Sequence, residues 1–140
     1  MSGNLKKVLV VDDEAGMRLM LTTYLEREGY QVVTAAEIKT AEALLNKDVF
    51  SAVITDLSMP GGSGLDLLNR MKEMNLDLPV IVMSAYGTTD SALTAMRAGA
   101  FDYVFKPFQP DEILFSLKRA ETSLQLAREN AALRKVVERR

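Results

Sequence analysis

The chain contains no cysteine, no histidine and no tryptophan. Without cysteine there are no disulfides and no thiolate metal sites, which agrees with a reducing compartment. The absence of histidine excludes more. No imidazole base, imidazole metal ligand or phosphohistidine carrier exists in this polypeptide, so any phosphohistidine chemistry needs a second protein. No apolar run approaches the roughly 20 residues that span a bilayer. The segment Met1-Ser2-Gly3-Asn4 leads straight into a strand pattern without the apolar core of a signal peptide. No membrane association and a cytoplasmic location are therefore expected. An excess of one charge sign is missing too: 17 basic residues against 19 acidic leave a formal net charge of −2, which gives no global reason to expect nucleic-acid contact. There is no internal repeat and no low-complexity segment.

With 140 residues, 48% of them hydrophobic, the chain suits one domain with a sizeable core. Short apolar runs rich in β-branched residues alternate five times with helical patterns. Such runs read as buried parallel strands. Strands are expected at Val8–Val11, Gln31–Ala35, Ala52–Thr55, from Val80 to Ser84 after Pro79, and at Tyr103–Phe105. Helices are expected at Ala15–Glu28, Ile38–Lys47, Leu65–Met74 and Thr88–Ala98, and from Asp111 to the chain end. Gly29 and Gly99 supply helix stops, and Pro110-Asp111-Glu112 suits a helix start. The loop from Met59 to Gly64 resembles a phosphate loop only superficially, since no Gly-Lys-Ser/Thr follows. Met17, Met71 and Met96, at helical spacing, read as core fillers. The (βα)5 order implies an α/β, doubly wound parallel sheet with helices on both faces.

The last helix is longer than such a domain needs. From Asp111 it runs without Gly or Pro to Arg140, roughly 45 Å at 1.5 Å per residue. Ile113, Leu117, Ala120, Leu124, Ala127 and Ala131 recur at spacings of four and three, a seam suited to a two-stranded coiled coil. The competing reading is a solvated single helix serving as a linker. The organisation expected is a globular domain at 1–122 and a helical extension or dimerisation linker at 123–140. A chain ending on Val136-Val137-Glu138-Arg139-Arg140, with no helix stop, reads as an excised fragment, although a stand-alone protein with a dimerising tail is the alternative. The segment from Arg128 to Arg140 is locally basic but interrupted by Glu129 and Glu138, so no direct nucleic-acid binding is expected of it.

Four strands end in polar side chains. Val8–Val11 leads into Asp12-Asp13, Ala52–Thr55 into Asp56, Val80–Met83 into Ser84, and Tyr103–Phe105 into Lys106-Pro107. In an open parallel sheet the crevice beyond the carboxyl ends of the strands is where ligands bind. Three carboxylates gathered there repel one another unless a cation neutralises them. Oxygen donors at that density, without His or Cys, favour Mg²⁺ or Mn²⁺ over zinc. A carboxylate beside such an ion can attack phosphorus to give an acyl phosphate, and Lys106 and the Ser84 hydroxyl suit the charge of the transferred group.

Together, Val11-Asp12-Asp13-Glu14, Ile54-Thr55-Asp56-Leu57-Ser58-Met59-Pro60-Gly61, Met83-Ser84-Ala85 and Phe105-Lys106-Pro107-Phe108 resemble the motifs of response-regulator receiver domains of two-component signalling. The resemblance covers about Lys6 to Arg119. It implies the flavodoxin-like strand order 2-1-3-4-5. It further implies that Asp56 accepts a phosphoryl group from a sensor histidine kinase, and that Asp12, Asp13, Asp56 and the Ser58 backbone carbonyl hold Mg²⁺. Ser84 would bind the phosphoryl oxygen, Lys106 would pair with it, Lys106-Pro107 would be a cis peptide, and Tyr103 would be the switch aromatic. A new charge near −2 on Asp56 attracts Ser84 and Lys106. The resemblance implies that an inward shift of Ser84 would make room for Tyr103 and change the surface of the fourth helix, fifth strand and fifth helix. Such a domain is a phosphoacceptor switch, not an enzyme in the ordinary sense.

Ser84-Ala85-Tyr86-Gly87-Thr88 and the tail from Leu126 to Arg134 are similar to receivers of the nitrogen-regulator-C type, in which an ATPase domain acting with sigma-54 and a DNA-binding domain follow. A homodimer is expected through the last helix (Leu117, Leu124, Ala127, Ala131), through the surface formed by the fourth helix, fifth strand and fifth helix, or through both. An alternative comes from haloacid-dehalogenase-like phosphatases, which form the aspartyl phosphate on the first strand, here Asp12. Glu14 is a poor match for their second acid, and the chain lacks a cap insertion. A degenerate receiver used only for assembly disagrees with the complete acidic set.

Overall fold

The computed structural model describes residues 6–59, 62–85 and 89–138, with side chains of the last helix described through Ser123 and at Leu126. Strand and helix alternate along the chain: β1 (Lys6–Val11), α1 (Ala15–Arg27), β2 (Tyr30–Ala35), α2 (Ile38–Lys47), β3 (Ala52–Asp56), α3 (Gly64–Glu73), β4 (Val80–Ser84), α4 (Thr89–Arg97), β5 (Asp102–Phe105) and α5 (Pro110–Glu138). The five strands form one parallel sheet in the order β2-β1-β3-β4-β5, the doubly wound arrangement expected from the sequence. Both faces are covered. Successive side chains on a strand point to opposite faces, so Leu9 and Val11 join Val53, Val80 and Val82 in a core with α2 and α3. Val8 and Val10 join Ile54, Ile81 and Met83 beneath α1 and α5. This burial on both sides explains why the strands read as continuous apolar runs rather than alternating ones.

Gly29 and Gly99 both adopt positive φ, 95° and 107°, and end α1 and α4 as the sequence indicates. The start of α3 is set by a capping box: the Asp66 N–H donates to Ser63 Oγ at 3.2 Å, and the Ser63 N–H donates to Asp66 Oδ2 at 3.0 Å. Each bond satisfies a backbone donor that a helix start otherwise leaves unpaired. The segment before it, read as plain loop, makes a two-residue antiparallel ladder pairing Ser58 with Ser63 and Met59 with Gly62. The fold-back buries Met59. Within that segment Pro60 and Gly61 lie outside the described residues, as do Tyr86, Gly87 and Thr88.

Two expectations need correction. Leu117 is not a dimer-seam residue: it is 1% exposed and packs in the core with Ile113, while Ala120 is buried beside them. A stripe at spacings of four and three serves a helix lying on a sheet as well as one lying on another helix, and the first turns of α5 use it for the sheet. The side chains of Leu124, Ala127 and Ala131 lie outside the described residues. Met96 is exposed on α4, although Met71 is buried and Met17 is packed against the core.

Candidate functional site

The parallel register carries the polar residues to one edge. Asp56 is the last residue of β3 and pairs with Met83, and Ser84 ends β4 opposite Phe105 of β5. The Leu57 N–H donates to the Met83 carbonyl at 2.8 Å, and the Lys106 N–H donates to the Ser84 carbonyl at 2.8 Å. Asp12, just past β1, donates its N–H to the Ala35 carbonyl at the end of β2. All these groups therefore sit on backbone pinned to the sheet. Asp12, Asp56 and Ser84 are buried, whereas Asp13 is exposed.

Asp12, Asp13 and Asp56 each offer a carboxylate oxygen, and the three lie within 4.8 Å of one another. At an effective dielectric near 20 each such pair repels by about 3.5 kcal/mol or more, less where exposed Asp13 is screened by solvent. The Lys106 ammonium, only 12% exposed, meets Asp12 Oδ2 at 3.1 Å and Asp56 Oδ2 at 3.3 Å, with Glu14 Oε1 at 3.8 Å. Against the carboxylates of Asp12, Asp13 and Asp56 alone, one ammonium leaves a formal local charge of −2, before exposed Glu14 is counted. Burial, with the Asp12 charge adding to it, pushes the Asp56 carboxyl above its usual range, while Lys106 and the Ser58 N–H pull the other way. Burial disfavours the Lys106 ammonium, but Asp12 and Asp56 outweigh it and hold its pKa above the ordinary lysine value. Three converging carboxylate oxygens with a deficit of two positive charges fit a hard divalent cation that takes oxygen ligands. Magnesium and manganese satisfy that description.

Around this centre the structure adds contacts that the sequence pattern does not show. The Glu14 N–H donates to Asp12 Oδ1 at 2.9 Å, and Arg18 Nη1 donates to the Asp12 carbonyl at 2.8 Å. Arg18 follows Glu14 by four residues, a spacing that helical periodicity could have flagged. Tyr103 stands apart from the acidic centre. It is half-buried, its hydroxyl lies 3.0 Å from Ser91 Oγ on α4, and its ring meets the edge of Phe105 at 5.1 Å between centroids. Nothing in one sequence pairs Ser91 with Tyr103, which are twelve residues apart. The Lys106–Pro107 peptide is cis. A cavity of about 440 Å³ lies at the opposite, amino-terminal edge of the sheet, lined by Tyr30, Phe50, Pro79 and Glu121 among others, and includes none of the acidic trio.

Comparison with known proteins agrees with this geometry. Residues 8–118 match the response regulator receiver domain family. The C4-dicarboxylate transport transcriptional regulatory protein DctD of Pseudomonas aeruginosa is 37% identical over 128 residues, covering 91% of this chain and 28% of that protein. Among solved structures, NtrX from Brucella abortus in complex with ADP superposes with a TM-score of 0.86 at 34% identity, over 92% of this chain and 30% of that one. The beryllofluoride-activated NtrC4 receiver domain dimer gives a TM-score of 0.79 at 36% identity, over 83% of this chain and 96% of that one. The chain thus spans less than a third of the length of the curated relatives it first matches. None of these relatives supports a phosphatase nucleophile at Asp12.

Proposed function

This chain belongs to the response regulator receiver domain family, and from that premise we propose that Asp56 is the phosphoacceptor of a signalling switch that controls a transcription-regulating output domain. The observation carrying the assignment is the convergence of Asp12, Asp13 and Asp56 within 4.8 Å, with Lys106 bonded to the two buried members. A carboxylate oxygen of Asp56 attacks phosphorus of a phosphohistidine, which must belong to a separate sensor kinase because this chain has no histidine. The new O–P bond replaces the N–P bond, and the departing imidazole takes a proton from solvent. Asp12, Asp13, Asp56 and the Ser58 carbonyl would hold Mg²⁺, which when bound would supply charge neutralisation on the phosphoryl oxygens. Lys106 keeps Asp12 and Asp56 together beforehand and pairs with the added charge afterwards.

The readout runs along β4 and β5. Ser84 is buried on the strand beside that of Asp56, and its hydroxyl donates a hydrogen bond to a phosphoryl oxygen. Tyr103, which contacts both the core and α4, changes position in response and alters the surface of α4, β5 and α5. Leu93, Met96, Phe105 and Phe115 are exposed on these elements, an apolar surface suited to homodimer contact. Beyond the receiver at 1–122, α5 continues as a helix through Glu138 and forms the extension at 123–140 toward ATPase and DNA-binding output domains. The domain itself is a phosphoacceptor rather than an enzyme acting on a separate substrate, works in the cytoplasm, and binds no nucleic acid directly. No helix among the described residues is long and apolar enough to cross a membrane.

Incubation with acetyl phosphate and Mg²⁺, followed by intact mass measurement and location of the acyl phosphate, tests the assignment. Mg²⁺-dependent labelling on Asp56, abolished in Asp56→Asn, is the expected result. A label on Asp12 would overturn it in favour of the phosphatase chemistry.

A further inference from the structure

Asp12 and Asp13 belong to one short turn but are held differently. Asp12 is buried with every polar group engaged: its N–H donates to the Ala35 carbonyl at 3.1 Å, Oδ1 accepts the Glu14 N–H at 2.9 Å, and Oδ2 meets Lys106. Its carbonyl accepts a charge-assisted hydrogen bond from Arg18 Nη1 at 2.8 Å. That carbonyl is half of the peptide joining Asp12 to Asp13. Asp13 is exposed, so its surroundings hold its side chain less than those of Asp12, and the plane of the preceding peptide sets the direction in which its Cα–Cβ bond leaves the backbone. Arg18 is itself on rigid ground. It closes the first turn of α1, where its N–H donates to the Glu14 carbonyl at 3.1 Å, and α1 is seated on the sheet by Leu21 and Leu25, both fully buried.

We propose that Arg18 is a positioning residue for the acidic site, holding the Asp12 carbonyl so that the Asp12–Asp13 peptide is fixed and the Asp13 carboxylate is oriented in advance toward the divalent cation. The proposal rests on the reading of Asp13 as a metal ligand. Partners that orient metal ligands without touching the metal are worth about 10- to 100-fold in affinity. The electrostatic expectation has the opposite sign. A guanidinium remains charged at all ordinary pH, and a fixed positive charge near the site opposes a cation, so removing a residue that acted only through its field would tighten Mg²⁺ binding. The direction of the change therefore separates positioning from simple charge.

Mg²⁺ binding to the full chain is measured by calorimetry and by amide resonances of Asp13 and Asp56, for wild type, Arg18→Ala, Arg18→Lys and Asp13→Ala, with thermal unfolding of each to confirm the fold. Arg18→Ala is expected to weaken Mg²⁺ by about 10-fold or more, and Arg18→Lys, which keeps a charged donor, to recover part of the loss. The rate of labelling by acetyl phosphate in Arg18→Ala should return to the wild-type value at saturating Mg²⁺, since the reacting groups are untouched. Weaker binding in Asp13→Ala with unchanged or tighter binding in Arg18→Ala overturns the role of Arg18 alone. Wild-type binding in Asp13→Ala overturns the metal-site reading beneath it.

Discussion

Replacing Gly64 with alanine is expected to destabilise the domain even though it adds a good helix former to the first turn of α3. A Cβ at this position would lie 2.8 Å from the Asp56 carbonyl oxygen, 3.2 Å from Leu57 Cα and 3.2 Å from Thr55 Cγ2. Two of these neighbours are backbone atoms that cannot easily retreat. Asp56 is registered against Met83, the Leu57 N–H donates to the Met83 carbonyl at 2.8 Å, and the Gly64 N–H donates to the Leu57 carbonyl at 2.8 Å. Overpacking of this kind costs about 1–3 kcal/mol. Loss of chain freedom in the unfolded state and better helix propensity return at most about 1 kcal/mol. Because the closest clash, 2.8 Å, is with a backbone oxygen, the upper half of that range applies, and a cost of about 2–3 kcal/mol less a return of about 1 leaves a net loss of about 1–2 kcal/mol, a fall in Tm of roughly 3–8 °C for a domain of this size, followed by circular dichroism. Gly16→Ala is the matched control. A Cβ there meets nothing within 4 Å in α1, so the same favourable effects act unopposed and Tm should hold or rise. A Gly64→Ala protein as stable as wild type would refute the packing argument at the Asp56 strand end.

Three further outcomes are expected. Lys106→Ala should still accept some phosphoryl groups but lose the spectral response to beryllofluoride with Mg²⁺, because the ammonium reads the added charge; a full wild-type response would remove that role. Leu117→Ala should cost about 2–5 kcal/mol in urea unfolding, whereas Leu126→Ala, at an exposed position, should change stability by less than about 0.5 kcal/mol; equal effects would contradict the division of α5 into core and extension. A chain ending at Ser123 should be more monomeric than the full chain at equal concentration in sedimentation, and identical association states with and without beryllofluoride would reduce the extension to a passive linker.

The secondary structure and chain order were legible in the sequence because burial on both faces leaves unbroken β-branched runs. Val8–Val11 and Val80–Met83 are of this kind, and Gly29 and Gly99 punctuate the helices where φ must turn positive. The acidic residues, Ser84 and Lys106 were legible for a related reason. In a parallel sheet every strand presents its carboxyl end to the same edge, so polar residues that terminate separate apolar runs must meet. What the one-dimensional pattern could not separate was the use of a helical stripe. Ile113, Leu117 and Ala120 have the spacing of a coiled-coil seam, and only their burial beneath the sheet assigns them to the core. Nor did the sequence show how the site is held. The contacts of Arg18 with the Asp12 carbonyl, Ser91 with Tyr103, and Gly64 with the Asp56 strand end depend on distances of about 3 Å between residues far apart in spacing or type. Sequence by itself determined which groups reach the site, since strand polarity and topology carry them there. Tertiary structure decided which neighbours constrain those groups, because hydrogen bonds and close packing are set by atomic separations that no residue pattern encodes.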